Sequence, residues 1–271
     1  MPSNKIPILL FLFLGLANVG IANAENRVIL SPGLMYFDYE ERGDNGAFLD
    51  GETGSVLGAT IALERSFNSK FSAILFGGIY TGTVNYDGHT QIGDPIQTDT
   101  QADFFTFGVE AQLPLAEFNK NFYLITGYRY KRWERDIQPV GSVSGLFEVY
   151  QWQEFSLGVQ LFSNIVKSTQ WSIFGGFFQT RNAEIEINLA SEGYGKPSLS
   201  LGSDTGFEFG IQHMDFRNNE QDMGFRFSYR TWKFGRSPNE IASGSGGTVL
   251  IHEPRSETST FLFEVIIPTS N

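Results

Sequence analysis

The 271-residue chain contains no cysteine, which excludes disulfides, zinc–thiolate centres and iron–sulfur clusters. Charge is also scarce: Asp, Glu, Lys and Arg together make up 18% of the residues. Positive charge is the scarcer sign, with 19 Lys and Arg against 30 Asp and Glu and a net charge of −11, so nucleic acid is not an expected partner. Long apolar runs are missing after the N-terminus. The longest, Ala73 to Tyr80 (AILFGGIY), is strand-sized and holds two glycines, well short of the roughly 18 residues that a helical membrane span needs. The abundant residues are glycine (30) and phenylalanine (26), a combination that argues against a helical bundle. Few charges beside 41% hydrophobic residues argue against a disordered chain.

The N-terminus has the layout of a secretory signal. Met1 to Lys5 is short, polar and carries one positive charge. Ile6 to Gly15 is an apolar run, continued loosely to Ile21, and Ala22-Asn23-Ala24 supplies the small-x-small pattern of a cleavage site. Residues 1–24 are therefore expected to be removed on export, leaving one domain over 25–271.

Beyond that point the dominant signal is alternation with a period of two. In Ala102 to Leu115, the residues Phe105, Phe107, Val109, Ala111 and Leu113 share one face, while Thr106, Gly108, Glu110 and Gln112 share the other. The stretches 205–212, 222–234 and 260–267 repeat the pattern. Ten strands are predicted, over 28–40, 54–65, 70–84, 102–115, 121–135, 147–162, 170–181, 204–214, 222–235 and 258–267. Their connections alternate in length. Those at 66–69, 116–120, 163–169 and 215–221 are short; those at 41–53, 85–101, 136–146, 182–203 and 236–257 are long and rich in Gly, Pro and Asp. The strands that leave the short turns open on Phe71, Phe122, Trp171 and Met223, bulky residues on the apolar face. Together with Tyr128 and Tyr130 towards the opposite edge, Phe71, Phe122 and Trp171 are the candidates for aromatic girdles at two membrane interfaces.

These features together resemble a small Gram-negative outer-membrane β-barrel protein, and the resemblance covers nearly all of residues 25–271. It implies an antiparallel up-and-down barrel of about ten strands, with short periplasmic turns and long extracellular loops. It also implies contact with outer-membrane lipid and lipopolysaccharide, and passage through the barrel-insertion machinery. One feature departs from the pattern. Such barrels commonly end on an aromatic residue read by that machinery, whereas here the predicted last strand stops at Ile267 and Pro268-Thr269-Ser270-Asn271 follow. A secreted β-sandwich would also alternate, but its water-facing positions usually carry Lys, Glu and Thr. Here the polar faces are crowded with Gly and Ser, which suit the inside of a narrow barrel.

The sequence offers little that points to catalysis or to a cofactor, and neither a catalytic residue nor a metal ligand is assigned. Omptin proteases resemble the chain in strand count and need carboxylate and Asp/His pairs at the outer mouth. The nearest match, His213-Met214-Asp215, falls beside a short turn, at the wrong end. His89 and the segment His252-Glu253-Pro254-Arg255-Ser256 lie on long loops and read as solvated. The carboxylates Asp87, Asp94, Asp99 and Asp103 lack the spacing of a calcium loop.

The inward face is more informative. Alternation places Glu64, Glu110, Glu154, Glu208 and Glu264 inside on even-numbered strands, with Arg129, Lys131, Arg226 and Arg230 inside on the fifth and ninth. Interleaved charges in a narrow lumen can pair. Arg129 is expected to reach Glu110 or Glu154 on its neighbouring strands, and Arg226 and Arg230 to reach Glu208 or Glu264. The expectation is a non-enzymatic surface protein with a charge-plugged lumen; a narrow, porin-like pore for small solutes and an enzyme acting on outer-leaflet lipid or on peptide are the rival readings.

Overall fold

A computed structural model describes residues 24–67, 71–89, 93–115, 121–164, 166, 168–217 and 220–269. The predicted signal segment lies outside these residues except for Ala24, which opens the first strand. The strands are β1 (Ala24–Arg42), β2 (Phe48–Phe67), β3 (Ser72–His89), β4 (Pro95–Pro114), β5 (Phe122–Ile137), β6 (Leu146–Phe162) and β7 (Thr169–Asn188). They continue with β8 (Ser198–Ser200), β9 (Thr205–Arg217), β10 (Glu220–Phe234), β11 (Glu240–Gly244), β12 (Gly247–Ile251) and β13 (Arg255–Thr269).

Ten of these are long, and each pairs antiparallel with its neighbour in the chain. The sheet closes where β1 pairs with β13, in a register running from Val28 opposite Thr269 to Arg42 opposite Arg255. The fold is a closed, ten-stranded antiparallel barrel. β8 adds a short strand to the top of β7, and β11 with β12 forms a separate hairpin in the connection between β10 and β13.

The strands run further than the sequence pattern suggests, mainly at the long-loop end. The first long connection, expected at 41–53, shrinks to the few residues between Arg42 and Phe48, and the second is largely absorbed by pairs such as Asn85 with Asp99 and Asp87 with Gln97. At the other end, β13 runs through Pro268 to Thr269. The pattern marks where outward side chains stop being apolar, whereas the backbone ladder continues regardless of side-chain polarity.

That change from apolar to polar encircles the barrel. Leu57, Ile79, Phe105, Phe155, Phe177 and Phe261 are exposed large hydrophobics on the outer surface. On each of their strands the next outward position towards the long loops is polar: Ser55, Thr81, Asp103, Gln153, Gln179 and Ser259. Thr81 and Gln101 both hydrogen-bond Asp103 there, and Arg132 donates to Glu134 at 2.7 Å. Below this edge lies an apolar band, bounded at the short-turn end by residues such as Trp171, Met223 and Leu113. Above it the barrel wall rises as a polar collar. The best-buried cluster, including Phe37, Tyr39, Trp133, Tyr150, Ile185, Leu199 and Phe234, sits inside this collar.

Small residues let the wall curve so tightly. A Cβ on Gly58 would lie 2.1 Å from the Ile79 carbonyl oxygen and 2.6 Å from Tyr80 Cα, both backbone atoms. At Gly77 the nearest atom would be the Thr106 carbonyl oxygen at 3.7 Å, an ordinary contact. Gly58→Ala is expected to lower the urea midpoint of unfolding clearly, and Gly77→Ala to leave it nearly unchanged. Equal midpoints for the two variants would contradict this packing.

Candidate functional site

The barrel interior holds two constellations, one in the banded part and one in the collar. In the lower one, Arg129 Nη1 donates to Glu208 Oε2 at 2.7 Å, and its Nη2 lies 3.7 Å from Glu110. Arg230 Nη2 donates to Glu154 Oε2 at 2.7 Å, and its Nε lies 3.7 Å from Glu208. Arg226 donates through Nε and Nη2 to Gln212 at 3.1 and 2.8 Å and stands 3.9 Å from Glu264, which accepts from the Tyr80 hydroxyl at 3.0 Å. Glu64 pairs with Arg27. Lys131 lies 5.5 Å from the centroid of the Trp232 ring.

The expected neighbouring-strand contacts of Arg129 with Glu110, Arg230 with Glu208 and Arg226 with Glu264 are present at 3.7–3.9 Å, but the hydrogen-bonded carboxylates of Arg129 and Arg230 lie across the lumen. Arg129 on β5 takes Glu208 on β9, and Arg230 on β10 takes Glu154 on β6; in each case two strands lie between. Arginine arms in a narrow lumen reach along a chord of the barrel as easily as along the wall. Arg27, on β1, is an interior base that sequence reasoning missed.

The proposed girdle residues divide between the two edges of the band. Phe71 packs on Phe67 with ring centroids 5.4 Å apart, and Phe122 opens β5. Trp171 is exposed and lies edge-on to His213 at 4.6 Å, all at the short-turn end. Tyr128 packs on Phe155 at 5.2 Å, and Tyr130 donates its hydroxyl to Gln151 at 2.9 Å near the collar.

The upper constellation centres on Arg135, whose side chain is 1% exposed. Its Nε donates to Glu52 at 3.1 Å, and its Nη1 donates to Glu148 at 2.8 Å and Glu41 at 3.3 Å; Nη2 lies 3.8 Å from Asp50. The guanidinium also stands over the rings of Tyr39 (4.7 Å) and Trp133 (5.1 Å). The Tyr150 hydroxyl donates to Glu253, a residue of the connection between β12 and β13. The backbone N–H of Glu253 in turn donates to the Ser237 Oγ at 2.8 Å. The loop expected to be wholly solvated is thus tied in: His252 is exposed, but Glu253 and Ser256 are buried. Arg135 continues the inward register of Arg129, Lys131 and Trp133, the one signal in the sequence that could have revealed this cluster.

Three carboxylates of this cluster, Asp50, Glu148 and Glu253, hold protons more tightly than usual. Burial, opposed by Arg135 and reinforced by Glu41, pushes Glu148 up to about 7. Burial together with the charges of Glu41 and Glu148 raises Glu253 well above the usual glutamate range. Both groups stand in the collar, above the apolar band. In the unfolded chain Glu148 ionises near 4.5, so between that value and about 7 the folded state binds the additional proton. Stability is then expected to fall as pH rises through this window. Urea titrations at about pH 5 and about pH 8 check this: the midpoint should be higher at the acid pH, and Glu148→Gln should narrow the difference. A higher midpoint at the alkaline pH would oppose this account.

Around the lower constellation, between the collar and the short-turn end, lies a cavity of about 270 Å³. Its upper wall includes Phe104, Trp152 and Trp232, and its lower wall includes Arg27, Gln160 and Ile266. The aromatic and Arg135 clusters close it towards the long loops. The histidines lie apart: His89 Nδ1 is 3.1 Å from the Leu49 carbonyl oxygen, and His213 is 3.7 Å from Asp215 at the short-turn end. Asp87 and Asp99, expected on a loop, are paired within strands. Among the described residues no group of three or more His, Asp or Glu side chains is arranged to hold a metal ion.

This architecture is that of a bacterial outer-membrane β-barrel. The solved structure of the outer membrane protease OmpT from Escherichia coli superposes with a TM-score of 0.59 at 10% identity, over 90% of this chain and 97% of that one. The translocator domain of the autotransporter NalP from Neisseria meningitidis gives 0.47 at 10% identity, over 97% and 94%. Ail of Yersinia pestis gives 0.34 at 9% identity, over 90% and 99%. No family model matches the chain, and no curated protein sequence matches it. What is shared with OmpT is the fold.

Proposed function

We propose that this is a non-enzymatic outer-membrane barrel, exported under its N-terminal signal, whose lumen is closed to solutes and whose collar and loops present its working surface. In this reading lipid and lipopolysaccharide meet the apolar band, and the barrel-insertion machinery delivers the chain. The observation that carries the reading is the seal: Phe37, Tyr39, Trp133 and Tyr150 are each no more than 1% exposed and, with Arg135 and its carboxylates, fill the collar. A conducting pore would need water there. OmpT is a protease; here His89 Nδ1 lies 3.1 Å from the Leu49 carbonyl oxygen and His252 is exposed at the long-loop end.

Planar-bilayer recording tests the closed lumen. The wild-type protein is expected to show no steady conductance, and a double replacement of Trp133 and Tyr150 by Ala is expected to admit ions. A large, steady wild-type conductance would overturn the reading. If the loops are the working surface, trimming residues 240–251, which form the β11–β12 hairpin, should abolish binding at the outer surface while the barrel still migrates as a folded species on unboiled gels.

A further inference from the structure

The cavity beneath the seal has a chemical bias. Lys131 lines its upper end and stands over Trp232, yet forms no ion pair among the described residues. The nearby carboxylates are engaged elsewhere: Glu154 accepts from Arg230 and from Trp152 Nε1, and Glu208 accepts from Arg129. The chamber's one ammonium thus stands outside ion-pairing distance of any carboxylate among the described residues.

The surfaces beside that ammonium are flat and apolar. The Trp152 and Trp232 rings lie 5.9 Å apart, inclined at 33°, and Phe104 and Leu262 complete the wall. At about 270 Å³ the space approaches the lower end of small-molecule pockets, roughly 300–1,000 Å³. The lining continues to Gln160, Met214 and Ile266 at the short-turn end, while the upper end is closed. A ligand would thus enter from the short-turn side.

We infer that this chamber is a binding site for a small organic monoanion with a flat apolar body, such as an aromatic carboxylate, taken up from the periplasmic end, with Lys131 pairing with the carboxylate and Trp152 and Trp232 covering the ring. A single free cation selects one negative charge. Glu154 and Glu208 close by repel anions that carry more. The apolar wall supplies affinity that the charge alone, in competition with water, would not.

The test is calorimetry on the full chain refolded into lipid nanodiscs, titrated with sodium benzoate and separately with its neutral analogue benzamide, with empty nanodiscs as blank. Benzoate is expected to bind saturably at one site per barrel and benzamide at least about tenfold more weakly, a difference easily resolved in Kd. Lys131→Met should weaken benzoate about tenfold or more without changing benzamide, while Lys131→Arg retains most of the binding. Gel migration of unboiled samples confirms that each variant is folded. If Lys131→Met does not fold, Lys131→Gln and the wild-type preference for benzoate decide. No saturable benzoate binding, equal affinity for both probes, or benzoate binding unchanged in a folded Lys131 variant without the charge would each overturn the inference. Conductance does not enter, so the closed-lumen reading stands or falls separately.

Discussion

Arg135→Met is expected to destabilise the folded barrel by about 3–5 kcal/mol, the cost of removing one partner from a buried charge cluster. The substitution roughly preserves side-chain length but leaves Glu41, Asp50, Glu52 and Glu148 facing one another with no cation between them. Urea titration followed by tryptophan fluorescence measures the loss, since Trp133 lies against the guanidinium. Arg135→Lys should recover only part of it. The native guanidinium serves Glu52 through Nε and both Glu148 and Glu41 through Nη1 of a planar fork, and an ammonium cannot reproduce that geometry. The damage should also shrink at acid pH, where the orphaned carboxylates protonate. An Arg135→Met variant as stable as the wild type at neutral pH would show that the carboxylates around it are already uncharged.

Phe227→Arg should cost about 2–4 kcal/mol, the range for a basic residue placed at the lipid-facing midplane of a barrel. Phe227 is 43% exposed on the outer surface and lies between Ile211 and Phe263 on the flanking strands, inside the apolar band. Its neighbour Ser228 is 3% exposed and lines the cavity, so the guanidinium of Ser228→Arg would have a polar, roomy side to occupy. The second change should be milder. A bilayer-folding titration compares the two, and equal costs would contradict the outward assignment of Phe227.

The contrast between those neighbouring residues was readable in the sequence, because alternation assigns each side chain to a face before any coordinates exist. Ten strands and the interior location of Arg129, Glu208, Arg230 and Glu154 follow from the same periodicity, whereas closure was implied only by the resemblance to outer-membrane barrels. What periodicity does not contain is distance across the barrel. Which carboxylate an arginine meets depends on lumen width and strand stagger, so neighbouring-strand partners were expected for pairs that span three strand spacings. The collar was hidden for another reason. Its outward residues, such as Asp38, Asp103 and Gln153, are polar, and its inward ones, such as Tyr39, Trp133 and Tyr150, are aromatic, which inverts the pattern of the band. A reading tuned to apolar-out strands ends them where the collar begins and sees loops instead.

The chord-like pairing has a kinetic consequence. Arg129–Glu208 and Arg230–Glu154 join strands that are not neighbours, so neither ion pair exists in an open sheet. Each forms only when curvature brings the walls together, and β13 must meet β1 before that curvature is fixed. Interactions that appear after the rate-limiting step do little for the speed of folding and act on the rate of unfolding. The interior charges thus behave as a latch: they set how long a closed barrel stays closed, and a barrel deprived of one pair should assemble at nearly the normal rate and open sooner.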